Sequence, residues 1–221
     1  MLKVKSVTIF KLLFIISALG SYSLAGLPLQ WMGLLLSCGV FFLLALKKEL
    51  SFSKIQLPLL IFIIWSVLIT LSSIPFNVLP MPEKASTGYE FFIFLRLLKL
   101  LAFLSIVFFT LDVLKKHGFK NISVYVSNIG FLIALYSFYT YFATLYNLPE
   151  IPRTRIGTSG GEAVTNFTYA FHRATGTFLE PSHLGEWLIL PFLLSFINKG
   201  RFALFKRFTM GVTILLTGSL G

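Results

Sequence analysis

The stretch RATGTFLEPSHLGE, residues 173–186, concentrates polar and ionisable side chains in an otherwise apolar chain. Pro181 suits the first position of a helix, and Glu180 or Ser182 can cap it, so a helix is predicted to begin here. The start of a helix presents unpaired N–H groups and the positive end of the helix dipole, which together favour a bound anion. The pattern therefore predicts an anion site at this helix start.

Two residues just upstream of the predicted helix suit a phosphate ligand. The planar guanidinium of Arg173 matches phosphate oxygens, and Gly176 would let the backbone turn close to the ligand. The alternative is an interfacial loop, in which Arg173 contacts lipid headgroups and Trp187 lies in the aromatic belt of a membrane. The residue types leave both interpretations open.

His172 and His183 raise the question of a metal site, because His183 and Glu186 lie three residues apart. The spacing is not that of HExxH, and no second histidine follows in the predicted helix to complete a zinc site. We therefore predict no bound metal. His183 is instead a candidate general base or phosphate ligand, with a solvated histidine at the membrane surface as the alternative.

Two pairs of cations are further candidates. On an extended segment Arg153 and Arg155 would point to the same side and could grip one polyanion, with a solvated loop as the alternative. Arg96 and Lys99 lie three residues apart in FFIFLRLLKLLAF, on one face of a predicted helix. They either face a cavity open to the outer side, which would gather them with Arg173 around a phosphate, or extend to the outer headgroups.

The composition requires a lipid environment. The 221 residues are 56% hydrophobic and include 25 phenylalanines, and the mean hydropathy is +0.85. No soluble fold of this length can bury so much apolar surface. The apolar runs lack strand alternation, and membrane spans must satisfy their own backbone hydrogen bonds, so the runs are predicted as helices. The single cysteine, Cys38, lies inside an apolar run, so disulfides have no part.

Seven membrane spans are predicted, near residues 7–25, 27–46, 55–75, 91–114, 122–146, 184–198 and 202–221. They form one all-α transmembrane domain over residues 1–221, a polytopic helix bundle. A long outer loop covers residues 147–183, and loops of this length are usually functional or disordered.

The net charge of +11 follows this segmentation and sets the predicted topology. The connections between the predicted spans alternate between two sets. The first set contains 13 of the 19 Lys and Arg residues and only two acidic residues, Glu49 and Asp112. The second set contains six glutamates. The positive-inside rule places the first set, and with it the N-terminus, in the cytoplasm. The charge therefore indicates membrane topology and not nucleic-acid binding.

Each end of the chain raises a question of its own. Lys3, Lys5 and Lys11 accompany the first apolar run, and residues 23–25 (SLA) resemble a signal-peptidase site, so cleavage is the alternative to an uncleaved first helix. At the other end, TMGVTILLTGSLG stops in an apolar run. We therefore expect the chain to be the N-terminal part of a longer protein.

The stretch from Arg173 resembles the signature R-x-x-G-x-F-x-(E/D/H)-P-(S/N) of bacterial O-antigen polymerases, O-antigen ligases and related exopolysaccharide polymerases. The matching residues are Arg173, Gly176, Phe178, Glu180, Pro181 and Ser182. The terminal ILLTGSLG is similar to the next helix of that family, which commonly carries T-x-S-(R/K)-G. Leu220 stands where a basic residue is often found, so one phosphate contact of the family is absent. The resemblance covers the preceding helices only by hydropathy.

This resemblance implies a glycosyltransferase of the bacterial inner membrane that needs no cofactor. Such enzymes transfer a glycan from an undecaprenyl-pyrophosphate carrier to another glycan or to lipid A core. The carrier pyrophosphate is assigned to Arg173, with Arg96, Lys99, Arg153 and Arg155 as further candidates. The catalytic base is expected in a later loop, beyond residue 221. The expected partners are the lipid-linked glycan, membrane lipid and other polysaccharide-assembly proteins.

Two other classes of protein stay open. A transporter or flippase of lipid-linked glycans would use similar cations, but it should show charged or broken helices in both halves. Only one charged membrane segment is predicted here. A noncatalytic membrane partner or a remnant of a larger enzyme is the other alternative, because the later histidine loop of the family is missing from this chain.

Overall fold

The computed structural model describes residues 6–25, 27–46, 57–76, 88–151, 172–200 and 202–218. These residues form seven α-helices: α1 Ser6–Ser17, α2 Leu29–Leu46, α3 Leu57–Ser73, α4 Tyr89–His117, α5 Phe119–Tyr146, α6 Pro181–Ser195 and α7 Ala203–Leu216. A 3-10 turn follows α3 at Ile74–Phe76. Strands β1 (Ser23–Leu24) and β2 (Leu27–Pro28) form a short antiparallel hairpin. The predicted all-α class is confirmed.

Two of the described helices are long and apolar enough to cross a membrane, as judged by length and composition: α4 with 29 residues and α5 with 28. At about 1.5 Å per residue, each exceeds the thickness of about 30 Å of a hydrocarbon core. They correspond to the spans predicted over residues 91–114 and 122–146. The helices α1, α2 and α3 are apolar but shorter, so the seven-span arrangement stays a prediction.

The helices fall into two compact units, which are described separately. Unit 1 comprises Met1–Gly33 and Val113–Gly221, and unit 2 comprises Leu34–Asp112. In unit 1, α5, α6 and α7 pack against one another, and α1 packs against α5. In unit 2, Ile63 of α3 and Ile93 of α4 are buried, and Phe41 of α2 contacts Phe108 of α4 with ring centroids 5.9 Å apart.

The first predicted span differs most from the observed structure. The helix α1 ends at Ser17 instead of continuing to residue 25, and the chain then turns into the β1–β2 hairpin. The carbonyl of Ala18 accepts a hydrogen bond from Thr177 Oγ1 at 2.5 Å, and the Ser21 amide donates to the Thr177 carbonyl at 2.9 Å. These bonds satisfy backbone groups that a longer helix would pair internally. Ala18 is fully buried.

Small side chains on one face of α5 let the helices of unit 1 approach closely. The buried residues of this face recur every three or four positions and include Ser123, Ser127, Gly130, Ala134 and Ser137. A Cβ atom at Gly130 would lie 2.2 Å from Cβ of Pro191 in α6 and 3.2 Å from Sδ of Met210 in α7. The three helices therefore meet at this glycine, as is typical of helix packing in membranes.

The buried face of α7 carries two threonines beside Met210 and Ile214, and several large apolar side chains lie on its exposed face. Thr209 and Thr213 are buried, and their hydroxyls donate to the carbonyls four residues earlier at 2.9 and 2.8 Å. On the other side, Leu204, Phe208 and Leu215 are 77%, 67% and 66% exposed. Large apolar side chains on an exposed helix face are unusual in a soluble protein and are typical of a helix that faces lipid.

Candidate functional site

Residues 174–178, the centre of the motif, are packed inside unit 1. All of them except Thr175 are buried. The Ala174 amide donates to the Leu216 carbonyl at the end of α7 (3.0 Å), and the Thr177 carbonyl accepts from the Ser21 amide beyond α1 (2.9 Å). The segment is therefore held between the ends of α1 and α7.

Arg173 binds the C-terminal end of α7. Its Nε donates to the carbonyl of Thr217, the C-cap residue of α7, at 2.5 Å. A Cβ atom at Gly218, where φ is +57°, would lie 3.1 Å from the same Nε. A cation here satisfies a carbonyl that the helix leaves unpaired and interacts favourably with the negative end of the helix dipole. The structure thus places Arg173, the first residue of the R-x-x-G-x-F motif, beside residues 217 and 218 of the terminal ILLTGSLG.

This contact bears on the predicted phosphate role of Arg173. The side chain is half-buried, and the bond from Nε holds its guanidinium in one orientation. An oriented guanidinium loses less conformational freedom when it binds a phosphate. Arg173 therefore has a structural role that the sequence did not predict, and its phosphate role stays a prediction.

Gly176 brings the motif segment against α5. Its φ is +53°, and a Cβ atom would lie 2.0 Å from Ser137 Oγ and 2.9 Å from Ser137 Cβ. The prediction that Gly176 permits a turn is correct, because this backbone conformation favours glycine. The close neighbour, however, is a helix of the same unit, and the sequence did not identify it.

Phe178 anchors the same segment in the core of unit 1. It is 4% exposed, and its ring lies 6.0 Å from that of Trp187. Trp187 in turn contacts Phe14 of α1 at 5.0 Å and donates from Nε1 to Ser17 Oγ at 3.0 Å. Trp187 is therefore a packing residue that joins α6 to α1.

The start of α6 agrees with the prediction in position but not in its capping bonds. Pro181 is the first helical residue, and Glu180 is the N-cap residue with no side-chain capping hydrogen bond. Its Oε2 instead lies 3.5 Å from Ser182 Oγ and 4.0 Å from His183 Nε2. The side chains of Glu180 and His183 are 54% and 58% exposed. Glu180, the predicted cap, and His183, the candidate base, thus form a local cluster on the surface. The Glu180 carboxylate is itself an anion near the positive end of the α6 dipole.

His172, next to Arg173, is a residue that the sequence analysis considered only as a metal ligand. Its Nε2 lies 2.8 Å from the Tyr141 carbonyl of α5, and the two rings are 4.4 Å apart. Because a carbonyl only accepts hydrogen bonds, Nε2 carries the proton, and Nδ1 of the neutral ring is the acceptor. The exposed His172 therefore has a defined tautomer beside the motif arginine.

The other predicted cations lie either in unit 2 or outside the described residues. Arg96 and Lys99 are exposed residues of α4 in unit 2. The guanidinium of Arg96 lies 4.7 Å from the ring centre of Phe92, so its side chain extends towards the start of α4. The choice between a cavity and the headgroups stays a prediction for both cations. Arg153 and Arg155 lie outside the described residues.

No metal-binding cluster is formed in the parts of the chain that the structure describes. Among those residues, no three His, Cys, Asp or Glu side chains are arranged to hold a metal ion.

A set of basic side chains lies at the other end of unit 1, where α6 ends and α7 begins. Arg207 Nε and Nη2 donate to the Ser195 carbonyl at 3.3 and 3.2 Å, and Nη2 also donates to the Asn198 carbonyl at 3.0 Å. Lys206 Nζ donates to Asn128 Oδ1 at 2.5 Å. Arg207 and Lys206 belong to the predicted cytoplasmic set, and ten residues of α7, about 15 Å, separate Arg207 from Thr217.

The contacts that the sequence analysis missed join residues far apart in the chain. Arg173 and Thr217 are separated by 44 positions, and Ala18 and Thr177 by 159. No local pattern of residue types indicates such partners, because both are main-chain carbonyls.

Comparison of the chain with protein-family models, with curated proteins and with solved structures finds no match. The residues and their geometry therefore carry the functional argument.

Proposed function

We propose that this chain is part of a multi-pass protein of the bacterial inner membrane that transfers a glycan from an undecaprenyl-pyrophosphate carrier during assembly of a cell-surface polysaccharide. The acceptor is a growing glycan or lipid A core. An acceptor hydroxyl forms a bond to the anomeric carbon of the donor, the bond from that carbon to the pyrophosphate breaks, and the hydroxyl proton passes to a base. The carrier pyrophosphate is the leaving group.

Three observations support the membrane part of the proposal. The helices α4 and α5 have the length and composition of membrane spans. The helix α7 exposes the large apolar side chains of Leu204, Phe208 and Leu215, as expected of a helix face in contact with lipid. The basic residues Lys206 and Arg207 lie at one end of unit 1, as the positive-inside rule expects of a cytoplasmic end.

The observation that carries the transfer function is the position of Arg173. It leads the motif, its guanidinium is oriented by the Thr217 carbonyl, and it lies at the end of α7 away from Arg207. With Arg207 at the cytoplasmic face, Arg173 would lie about 15 Å farther towards the outer side, so the carrier pyrophosphate would have to enter from the outer interface to reach it. A bidentate guanidinium there would stabilise the charge that develops on the leaving group.

Substitution of Arg173 in the full-length protein tests this role. We expect Arg173→Ala to lower turnover by about 10² or more, the scale of a lost oxyanion donor. Arg173→Lys should also be impaired, because a lysine cannot donate to the Thr217 carbonyl and present a planar fork at the same time. The measurement is product formation from purified lipid-linked glycan, read on a gel, at matched amounts of folded protein.

Gly118→Ala is the matched control for lost stability. Gly118 has φ +78° with nothing within 4 Å of an added Cβ, so alanine strains the backbone between α4 and α5 without contacting the motif. Turnover per folded molecule should be unchanged in this variant. Wild-type turnover in Arg173→Ala would contradict the pyrophosphate role and leave Arg173 as a helix cap alone.

The same Arg173 variants separate glycan transfer from transport. A blocked transferase leaves lipid-linked glycan on the outer face of the membrane, where an impermeant reagent modifies it. A blocked transporter leaves the glycan on the inner face, protected from that reagent. Accumulation on the inner face would replace the transferase proposal with the transporter alternative.

A further inference from the structure

A groove of about 780 Å³ runs along the exposed faces of α6 and α7 in unit 1. Its apolar lining includes Phe192 and Phe196 of α6 and Leu204, Phe208, Gly211 and Leu215 of α7, and Arg207 is the charged residue in the lining. The volume lies within the range of about 300–1,000 Å³ that is typical of ligand sites. The groove is therefore large enough for a specific ligand.

The length of the groove matches one leaflet of a bilayer. From Leu204 to Leu215 the helix α7 rises by about 16 Å at 1.5 Å per residue. The hydrocarbon core of a membrane is about 30 Å thick, so one leaflet contributes about 15 Å. A single acyl chain that entered beside Leu204 would reach Leu215 at the middle of the membrane.

Arg207 supplies a cation at the end of the groove where a headgroup would lie. Its bonds to the carbonyls of Ser195 and Asn198 fix the guanidinium at the corner between α6 and α7, and its Cζ lies 4.8 Å from the ring centre of Phe196. Lys199 is exposed in the same corner. The sequence from residue 187 to residue 218 contains no Asp or Glu, so the local charge favours an anionic headgroup.

We propose that this groove binds one anionic phospholipid of the cytoplasmic leaflet, with an acyl chain along α7 and the phosphate at Arg207. The site is separate from the proposed glycan-transfer site, because Arg173 lies at the other end of α7 and does not line the groove. The inference rests on the membrane part of the proposed function and is independent of glycan transfer.

Photo-cross-linking in nanodiscs tests the site. The full-length protein is reconstituted in phosphatidylcholine with a small fraction of a photoactivatable phosphatidylglycerol, and the labelled peptides are identified by mass spectrometry. We expect labelling of peptides within residues 192–215, about fivefold stronger than with the phosphatidylcholine form of the probe. That factor corresponds to roughly 1 kcal/mol for one cation beside an anionic headgroup.

Gly211→Leu is the variant that blocks the groove. An added Cβ at Gly211 lies 3.5 Å from Phe192 Cε2, an ordinary contact, so the backbone tolerates the change while the longer side chain fills the groove. Labelling of residues 192–215 should fall about tenfold or more, the effect of roughly 1.4 kcal/mol. Gly39→Leu in α2, where nothing lies within 4 Å, is the matched control and should label like the wild type.

Arg207→Gln separates headgroup selectivity from occupancy. We expect it to remove the fivefold preference for phosphatidylglycerol while the acyl chain still labels the groove. Equal labelling by the two probes in the wild type, or unchanged labelling in Gly211→Leu, would overturn the proposal and indicate nonspecific lipid contact. Displacement of the probe by a polyprenyl phosphate would also overturn it, because the carrier would then be the occupant. Glycan transfer is assayed separately, so the results of lipid labelling do not depend on the outcome for the Arg173 variants.

Discussion

The absence of a side chain at Gly176 allows residues 174–178 to pack against α5. The residue combines a φ of +53° with a separation of 2.0 Å between an added Cβ and Ser137 Oγ. Alanine would therefore strain the backbone and also overlap α5. We expect Gly176→Ala to lower the free energy of unfolding by about 2–6 kcal/mol, the sum of the two effects. Unfolding of the purified protein in detergent measures this change.

Two other glycines separate these two effects. Gly118 has a φ of +78° but open space around an added Cβ, and Gly39 has open space and no positive φ. Gly118→Ala should cost only the backbone strain, about 1–3 kcal/mol, and Gly39→Ala should change stability by less than about 1 kcal/mol. Equal stability of the Gly176 and Gly39 variants would mean that residues 174–178 do not pack against α5.

At the scale of elements, α5 is the helix on which unit 1 assembles, and its packing with α6 depends on Gly130. The opposing Pro191 has a rigid ring, so a Cβ that would lie 2.2 Å from its own Cβ can be accommodated only if α6 moves. We expect Gly130→Ala to destabilise the protein by about 1–3 kcal/mol. Melting in detergent should show this loss, and Gly130→Leu should lose more.

Gly211→Ala is the control for helix propensity in the same unit. Its added Cβ meets Phe192 at an ordinary distance of 3.5 Å, so alanine should be neutral or should stabilise α7 by up to about 1 kcal/mol. A Gly130→Ala protein that melts with the wild type would show that α5 and α6 are not in close contact at this position.

At the scale of the whole molecule, the distribution of charge predicts which parts of the chain lie outside the cytoplasm. In a Cys38→Ser background, cysteines introduced at Ser86 and Thr158 should react with an impermeant thiol reagent in spheroplasts. Cysteines at Ser53 and Gly200 should react only after the membrane is permeabilised, because basic connections are retained in the cytoplasm. Labelling of Ser53 and Gly200 without labelling of Thr158 would show that the predicted topology is inverted.

The sequence by itself determined the features that depend on local chemistry. Composition and the absence of strand alternation predict an all-α protein, and the described residues confirm it. The start of α6 at Pro181 follows from the fixed φ and missing N–H of proline. The turn at Gly176 is also predicted from the residue type, because glycine adopts the positive φ that is observed there more readily than other residues.

Only the tertiary structure decided which groups these local features meet. The helix α1 ends at Ser17 because backbone groups beyond it pair with Thr177, although the apolar run continues. Arg173 binds the carbonyl of Thr217, and its residue type alone is equally consistent with a lipid headgroup or a phosphate. Gly130 matters because Pro191 and Met210 pack against it. Each partner is brought near by the packing of α5, α6 and α7, and hydropathy along the chain contains no information about that proximity.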